Sequence, residues 1–404
     1  AAAHAQQAWL QARESNDYGR FAPALERVLE LQSRYIACFD GTGEFAHPYD
    51  VLLDDYEPGL TTGELRTIFA HLQTELVPLV NAAAATDDGD PRVFPGEYPV
   101  EAQQRMVEEL LAAVGFDREH WRLDASVHPF ARSMAPTDVR LTTRWEEHDL
   151  AMALYSCLHE FGHGLYEAQF EPGHYRTTLA EATGLGVHES QSRLWENLVG
   201  RSRPFCRWAL PLLRRRLGGA FETLDVDAMY RAVNQVRLSL IRVEADETTY
   251  NLHIALRFEL ELALVEGRLG VAELPDAWDE AAHRLLGLET PTIKEGVLQD
   301  IHWGAGMIGY FPTYTIGNLI AAQLWRALVD DLPDIDARIA AGDFGPLREW
   351  LRVNVHRHGR KFESRELLRR ATGEELSVEP WLNYLENKLL DAGLLTAPVR
   401  VPRS

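Results

Sequence analysis

The stretch Leu158-His159-Glu160-Phe161-Gly162-His163-Gly164 decides how the rest of the chain is read. It has the form H-E-x-x-H. The apolar residues around it, Leu150, Met152, Leu154, Leu158, Phe161 and Leu165, recur at helical spacing. On a helix, residues four apart share a face about one turn apart. His159 and His163 therefore aim two imidazoles at one point. Glu160 is rotated about 100° from His159, so its carboxylate lies beside that point. Two neutral imidazoles suit a divalent zinc ion, and an adjacent carboxylate can hold a water for attack. This is the chemistry of a zinc peptidase. The competing explanation is a chance match, in a chain with 15 histidines among 404 residues.

Working outward, the composition sets bounds. With 46% hydrophobic residues the chain can bury a large core. We expect one catalytic domain over 1–404, with a helical N-terminal subdomain over 1–120 and a metal-site body over 121–404. The charge is acidic, 61 Asp+Glu against 40 Lys+Arg and a net −21, which argues against a nucleic-acid partner. The acidity is read as a solvated helical surface. Three cysteines, Cys38, Cys157 and Cys206, are too few and odd for a disulfide framework and fit a reducing compartment. Cys157 points to a different helix face from His159 and is read as core. No apolar run approaches the roughly 18 residues of a membrane span, and no signal-peptide apolar region opens the chain. The expected location is cytoplasmic, with no membrane partner. The start, Ala1-Ala2-Ala3 without methionine, points to processing or truncation upstream.

Along the chain, residues 1–40 read as a helical pair interrupted at Ser15–Gly19, and 39–60 as an ordered loop. Thr61-Thr62-Gly63-Glu64 matches a capping box opening a helix to about Ala85. A loop over 86–99 and a helix from Val100 to Val114, ended by Gly115, follow. Between Arg122 and Trp145 helical spacing is lost. Segments from Asp124 and from Asp138, separated by Ser133-Met-Ala-Pro136, read as two short strands forming a hairpin. The histidine-bearing helix runs from about Glu146 to Gln169, and its leading strand is placed to align an extended peptide. A segment from Glu181 to Leu198 comes next, then helices over 204–217, 227–245, 247–266 and 275–288. The 291–314 stretch crowds glycines and aromatics around Gln299, Asp300 and His302, which suits a site-lining turn. The basic run His356–Lys361 is read as solvated surface.

A catalytic zinc needs a third protein ligand. Spacing leaves Glu189, Glu181, Asp246 and His188 open. The chain resembles the carboxypeptidase Taq family of zinc metallocarboxypeptidases, on five motifs in order. These are His159-Glu160-Phe161-Gly162-His163, Asp138-Val-Arg140-Leu-Thr142 (D-x-R-x-T), His188-Glu189-Ser190-Gln191 (H-E-S-Q), Ile241-Arg242-Val-Glu-Ala245-Asp246 (I-R-x-x-A-D) and Gly296-Val-Leu-Gln299-Asp300-Ile-His302-Trp303 (G-x-x-Q-D-x-H-W). The likeness runs from near residue 9 to the C-terminus. Family members carry further N-terminal helices, so any groove wall or dimer contact those supply is expected to be missing here.

The resemblance implies that His159, His163 and Glu189 bind the metal and that Glu160 is the general base. It implies a mostly α, zincin-like helical clamp with a deep groove and a small β-sheet beside the metal. It also implies a homodimer. The expected cofactor is Zn2+, with Co2+ as the alternative, and the expected partner is a peptide substrate. A free α-carboxylate is best read by arginine. Arg242 is the first candidate, against a structural pairing with Asp246, and Arg140 the second, against pairing with Asp138. His302, Tyr310 and Tyr314 are candidate oxyanion donors. Asp246 and Asp300 are candidate acceptors behind the metal-binding histidines, and His128 and His188 candidate groove residues. The expected activity is removal of C-terminal residues from peptides with broad specificity. The alternatives are a zinc oligopeptidase cutting internally and a metal-free peptide-binding scaffold.

Overall fold

The computed structural model describes residues 1–86 and 93–400, so most of the loop expected over 86–99 is described only from residue 93 on. The chain is mostly α-helical, as expected. Before the sheet come α1 (Ala2–Ser15), α2 (Ala22–Ile36), α3 (Pro48–Asp54), α4 (Thr62–Ala84) and α5 (Val100–Val114). The strands are β1 (Trp121–Ala125), β2 (Ala131–Ala135) and β3 (Asp138–Thr143). Then follow α6 (Leu150–Ala168), α7 (Leu185–Arg193), α8 (Arg203–Leu217), α9 (Val226–Val233), α10 (Tyr250–Val265), α11 (Leu274–Leu286) and α12 (Pro312–Asp331). The last helices are α13 (Ile335–Ala340), α14 (Gly345–Asn354), α15 (Ser364–Thr372) and α16 (Glu379–Asp391). No helix among the described residues is long and apolar enough to cross a membrane.

Local chemistry sets the helix ends. Thr61 Oγ1 accepts from the Glu64 N–H while the Glu64 carboxylate accepts from the Thr61 N–H, so the expected capping box opens α4. Gly115, at φ 112°, ends α5 where its sequence predicts. The 39–60 loop is a correction, because it contains α3. His47 Nδ1 accepts from the Tyr49 N–H, Asp50 accepts from the His47 N–H, and Pro48 fills the first turn. The helix expected over 227–245 is a second correction. Helix α9 stops at Val233, and Asp246 instead collects the backbone N–H groups of Arg237, Thr248 and Thr249. That side chain offers the backbone an alternative to the helical ladder.

The strands differ too. The sheet has three, in the order β1-β3-β2, with β1 parallel and β2 antiparallel to β3. Ser133-Met-Ala lies in β2, and the hairpin turn is only Pro136-Thr137. Small residues Ala131, Ser133 and Ala135 alternate with exposed Arg132 and Met134, a period-two pattern that composition alone obscures.

The chain forms two compact units. The first comprises Ala1–Ala85, Val236–Thr315 and the chain end from Val399, the second Thr86–Gln235 and Ile316–Pro398. The division expected at residue 120 falls inside the second. In the first unit Phe69 of α4 stacks on Phe258 of α10 at 4.7 Å, and Tyr49 meets Phe258 edge-on. In the second, α6 runs between the sheet and α7. Glycine inside a helix costs about 1 kcal/mol relative to alanine, and α6 carries two for a reason. A Cβ on Gly164 would lie 2.8 Å from Val139 of β3, and one on Gly162 would lie 2.7 Å from the Ser192 Cα and collide with the Gln191 carbonyl. Both neighbours therefore pack directly on the helix backbone. Cys157 and Cys206 are buried and unpaired, and Cys38 is exposed.

Candidate metal centre

Helix α6 presents His159 and His163 one turn apart, as their spacing predicts, and α7 crosses it to bring in Glu189. Glu189 Oε2 lies 3.8 Å from His159 Nε2 and 3.5 Å from His163 Nε2. The three donor atoms all fall within 4.8 Å of one another. With metal–ligand bonds of about 2.0–2.2 Å, tetrahedral donors sit about 3.3–3.5 Å apart, so this spacing suits a single ion.

The outer ring nitrogens fix the tautomers. His159 Nδ1–H donates to Glu196 Oε2 at 2.8 Å, and His163 Nδ1–H donates to the His188 carbonyl at 3.1 Å. Each imidazole thus turns its Nε2 lone pair inward, as a metal ligand must. These acceptors correct the expectation that Asp246 or Asp300 would fill the role. Neither belongs to the unit that carries the histidines.

The electrostatics are those of a cation site. Burial opposes charge on His159, but Glu189, Glu196 and Glu160 outweigh it and push the imidazole up to about 9. Burial, with His188 alongside, drives His163 down to about 3. Burial also opposes charge on Glu189, yet Arg193 and the histidines hold its carboxyl well below the usual range. Glu160 is pushed up to about 7, first by burial and then by Glu189 and Glu196 against the pull of His159.

The remaining ligand candidates resolve by position. Glu181 precedes α7, is exposed and pairs with Arg360. His188 turns away, donating Nε2–H to Glu167 and stacking on His163 at 4.3 Å. Arg140 extends from β3 at the surface, its fork closed on Asp138 by two bonds of 2.9 Å. Ser126 Oγ donates to the backbone carbonyl of His128.

The other named residues belong to the first unit. Arg242 lies in a single turn, Arg242–Glu244, rather than a long helix. Its partner is not Asp246. Nε and Nη2 donate to Asp300 and Nη1 to Tyr250 Oη at 2.9 Å. Arg257 of α10, fully buried, closes on the same carboxylate. His302 Nε2 lies 3.2 Å from Tyr314 Oη, and Tyr310 packs edge-on to Tyr314 at 5.2 Å, so the three candidate oxyanion donors form one cluster.

Two residues, Arg193 and Glu196, and one pairing, His356 with Gln191, go beyond what the sequence analysis singled out. Glu196 and Arg193 follow Glu189 by seven and four residues, a helical face that periodicity could have revealed. His356 and Gln191 could not be paired from sequence. His356 is fully buried, 2.7 Å from Gln169 Oε1 and 2.8 Å from Gln191 Oε1. The 356–361 run is therefore partly a scaffold behind α7, where Arg360 N–H donates to the Leu179 carbonyl, and not wholly solvated surface.

A small sheet packed on a helix that carries H-E-x-x-H, with a glutamate from the next helix, defines a helical metallopeptidase. The sequence profile of the carboxypeptidase Taq (M32) metallopeptidases matches residues 1–389, starting earlier than residue 9, and the chain belongs to that family. It is 43% identical over 395 residues to thermostable carboxypeptidase 1 of Thermus thermophilus, covering 96% of this chain and 77% of that one. It is 38% identical to carboxypeptidase 1 of Bacillus subtilis, covering 97% and 78%. The crystal structure of the M32 carboxypeptidase from Deinococcus radiodurans superposes with a TM-score of 0.93 at 41% identity, covering 97% and 79%. The chain is a metallocarboxypeptidase, a peptide hydrolase. These relatives support neither internal cutting nor a metal-free scaffold.

Proposed function

We propose that this carboxypeptidase is zinc-dependent, with Co2+ as a competent substitute, and removes C-terminal residues of peptides with broad specificity. The observation that carries the reading is the convergence of His159 Nε2, His163 Nε2 and Glu189 Oε2, with both outer ring nitrogens already bonded. A divalent ion held there supplies Lewis acidity toward a carbonyl oxygen and acidifies a nearby water. Glu160 accepts the proton of the attacking water on its carboxylate and delivers it to the leaving amine nitrogen. Its buried position excludes bulk water and favours a base poised near neutral pH. His302, Tyr310 and Tyr314 serve as candidate hydrogen-bond donors to the developing oxyanion. For the substrate carboxylate the candidates are Arg242 and Arg140; both forks are paired, but the Arg140–Asp138 pair is solvent-exposed and so more readily exchanged for a substrate anion. The fork of Arg242 is spent on Asp300 and Tyr250, which suits a role holding that turn. A homodimer in the cytoplasm is the accompanying reading, supported by family resemblance and three unpaired cysteines. Sedimentation of the purified chain tests the dimer.

The test of the chemistry is release of the terminal residue from an N-blocked dipeptide. Zinc-loaded protein should release it, and amidating the C-terminus should abolish release. Glu160→Gln should keep one metal per chain and lose roughly 100- to 10,000-fold in turnover, the usual worth of a general base. Equal cleavage of the amidated peptide would overturn the exopeptidase reading. Full activity of Glu160→Gln would overturn the assigned base.

A further inference from the structure

Behind the ligands lies an ionic arrangement that no role above explains. Arg193 closes α7, and its guanidinium reaches two carboxylates at once. Nε donates to Glu189 Oε1 at 2.7 Å, and Nη1 donates to Glu196 Oε2 at 3.2 Å. Its side chain is only 13% exposed, which brings a full charge out of water. Glu196 sits where it does because the helix widens into a π turn over Leu194–Val199, directly after Arg193. Such turns often occur at functional sites.

The two oxygens of Glu189 are thereby made unequal. Oε1 is held by Arg193. Oε2 is the oxygen paired with both imidazoles, and Ser192 Oγ–H, shared with the Glu189 carbonyl at 2.7 Å, reaches it at 3.0 Å. The same guanidinium holds Glu196, which in turn orients His159 through Nδ1. One side chain therefore links the orientation of two of the three ligands.

Resting on the ligand assignment above, we propose that Arg193 is a positioning residue that holds Glu189 to ligation through one oxygen. A carboxylate left to rotate offers an ion both oxygens. The second would take up the open position that a catalytic site keeps for water or substrate. Arginine suits this task because its planar fork fixes the direction of each hydrogen bond, whereas an ammonium supplies charge without direction. Mere neutralisation of buried carboxylates would need only the charge.

The experiment uses the full chain, freed of metal and titrated with Co2+ against a chromophoric chelator, with affinity and visible absorption both read. Arg193→Met should bind Co2+ about 10- to 100-fold more weakly, the usual cost of losing a group behind a ligand. Its absorption should weaken, as expected when a ligand is added to cobalt. Arg193→Lys should recover part of the affinity but not the wild-type spectrum. Should Arg193→Met fail to fold by circular dichroism, Arg193→Lys carries the test alone. If Arg193→Lys matches wild type in both affinity and spectrum, charge suffices and the proposal is wrong. A folded Arg193→Met indistinguishable from wild type overturns it as well. Failure of wild type to bind Co2+ would instead bring down the ligand assignment, and this proposal with it.

Discussion

Gly162 shows how much depends on one missing carbon. The backbone of α7 rests where its Cβ would be, so Gly162→Ala must push α7, and Glu189 with it, off α6. Overpacking of this kind costs about 1–3 kcal/mol. We expect a lower melting temperature together with weaker metal binding, whereas equal metal affinity would mean that α7 moves without carrying Glu189. Asp300 is the other residue on which much rests. Asp300→Asn leaves Arg242 and Arg257 buried without their common anion, and removing one partner of a buried pair costs about 3–5 kcal/mol. Denaturant unfolding checks that figure. At this scale the sequence was legible where spacing speaks. His159, Glu160 and His163 follow from four-residue periodicity, but Glu189 needed the family motif, because Glu181, His188 and Asp246 fitted spacing equally well. Arg242 was matched to Asp246 on the premise of a helix between them. With that helix absent, Asp300, far along the chain, is the carboxylate it finds.

Helix α10 and the turn after it carry a pH dependence. Glu261, fully buried, accepts from Tyr49 Oη, Trp303 Nε1 and the Gly309 N–H, and so pins both ends of the 303–309 turn. Burial still outweighs these donors and pushes its carboxyl up to about 7. A raised carboxyl stabilises the fold fully below its unfolded value near 4.5, and this is lost as pH rises through 7. The loss is roughly 3 kcal/mol, at about 1.4 kcal/mol for each pH unit between the two values. Asp300 runs the other way. Burial opposes its charge, but Arg257 and Arg242 hold it far below the usual range, so its contribution is lost as pH falls below about 4. From these two carboxyls the melting temperature of the metal-free chain should therefore be highest near about pH 4–4.5 and fall as pH rises to about 7. Glu261→Gln should flatten the alkaline side alone. Helix α7 has its own clamp in His356, whose imidazole lies between Gln169 and Gln191. His356→Ala opens a polar cavity there at about 1–3 kcal/mol, and should raise hydrogen exchange in α7 before α6. Helices with clean periodicity and caps, such as α4 and α5, were readable nearly to the residue. Helix α3 was not, because its cap is a histidine, His47, outside the usual Ser, Thr, Asp and Asn, and strand β2 was not, because its ends are set by a neighbouring strand that no short window contains.

The chain passes between its two units repeatedly, at residues 85, 235, 315 and 398. A division read from texture could not anticipate this, since helical periodicity records which face of a segment is buried but not which distant segment covers it. The same discontinuity governs how the protein is made. Phe69 and Tyr49 leave the ribosome early, yet Phe258, which they pack against, follows nearly two hundred residues later. Between them residues 86–235 must be translated, roughly 8–30 s at about 5–20 residues per second. Nascent chains stalled near residue 235 should remain open to protease in α1–α4, and protection should appear only once α10 and α11 have emerged. The first helices to be synthesised thus wait for a partner, their aromatic faces bare, while residues 86–235, the first part of the second unit, are made ahead of that partner.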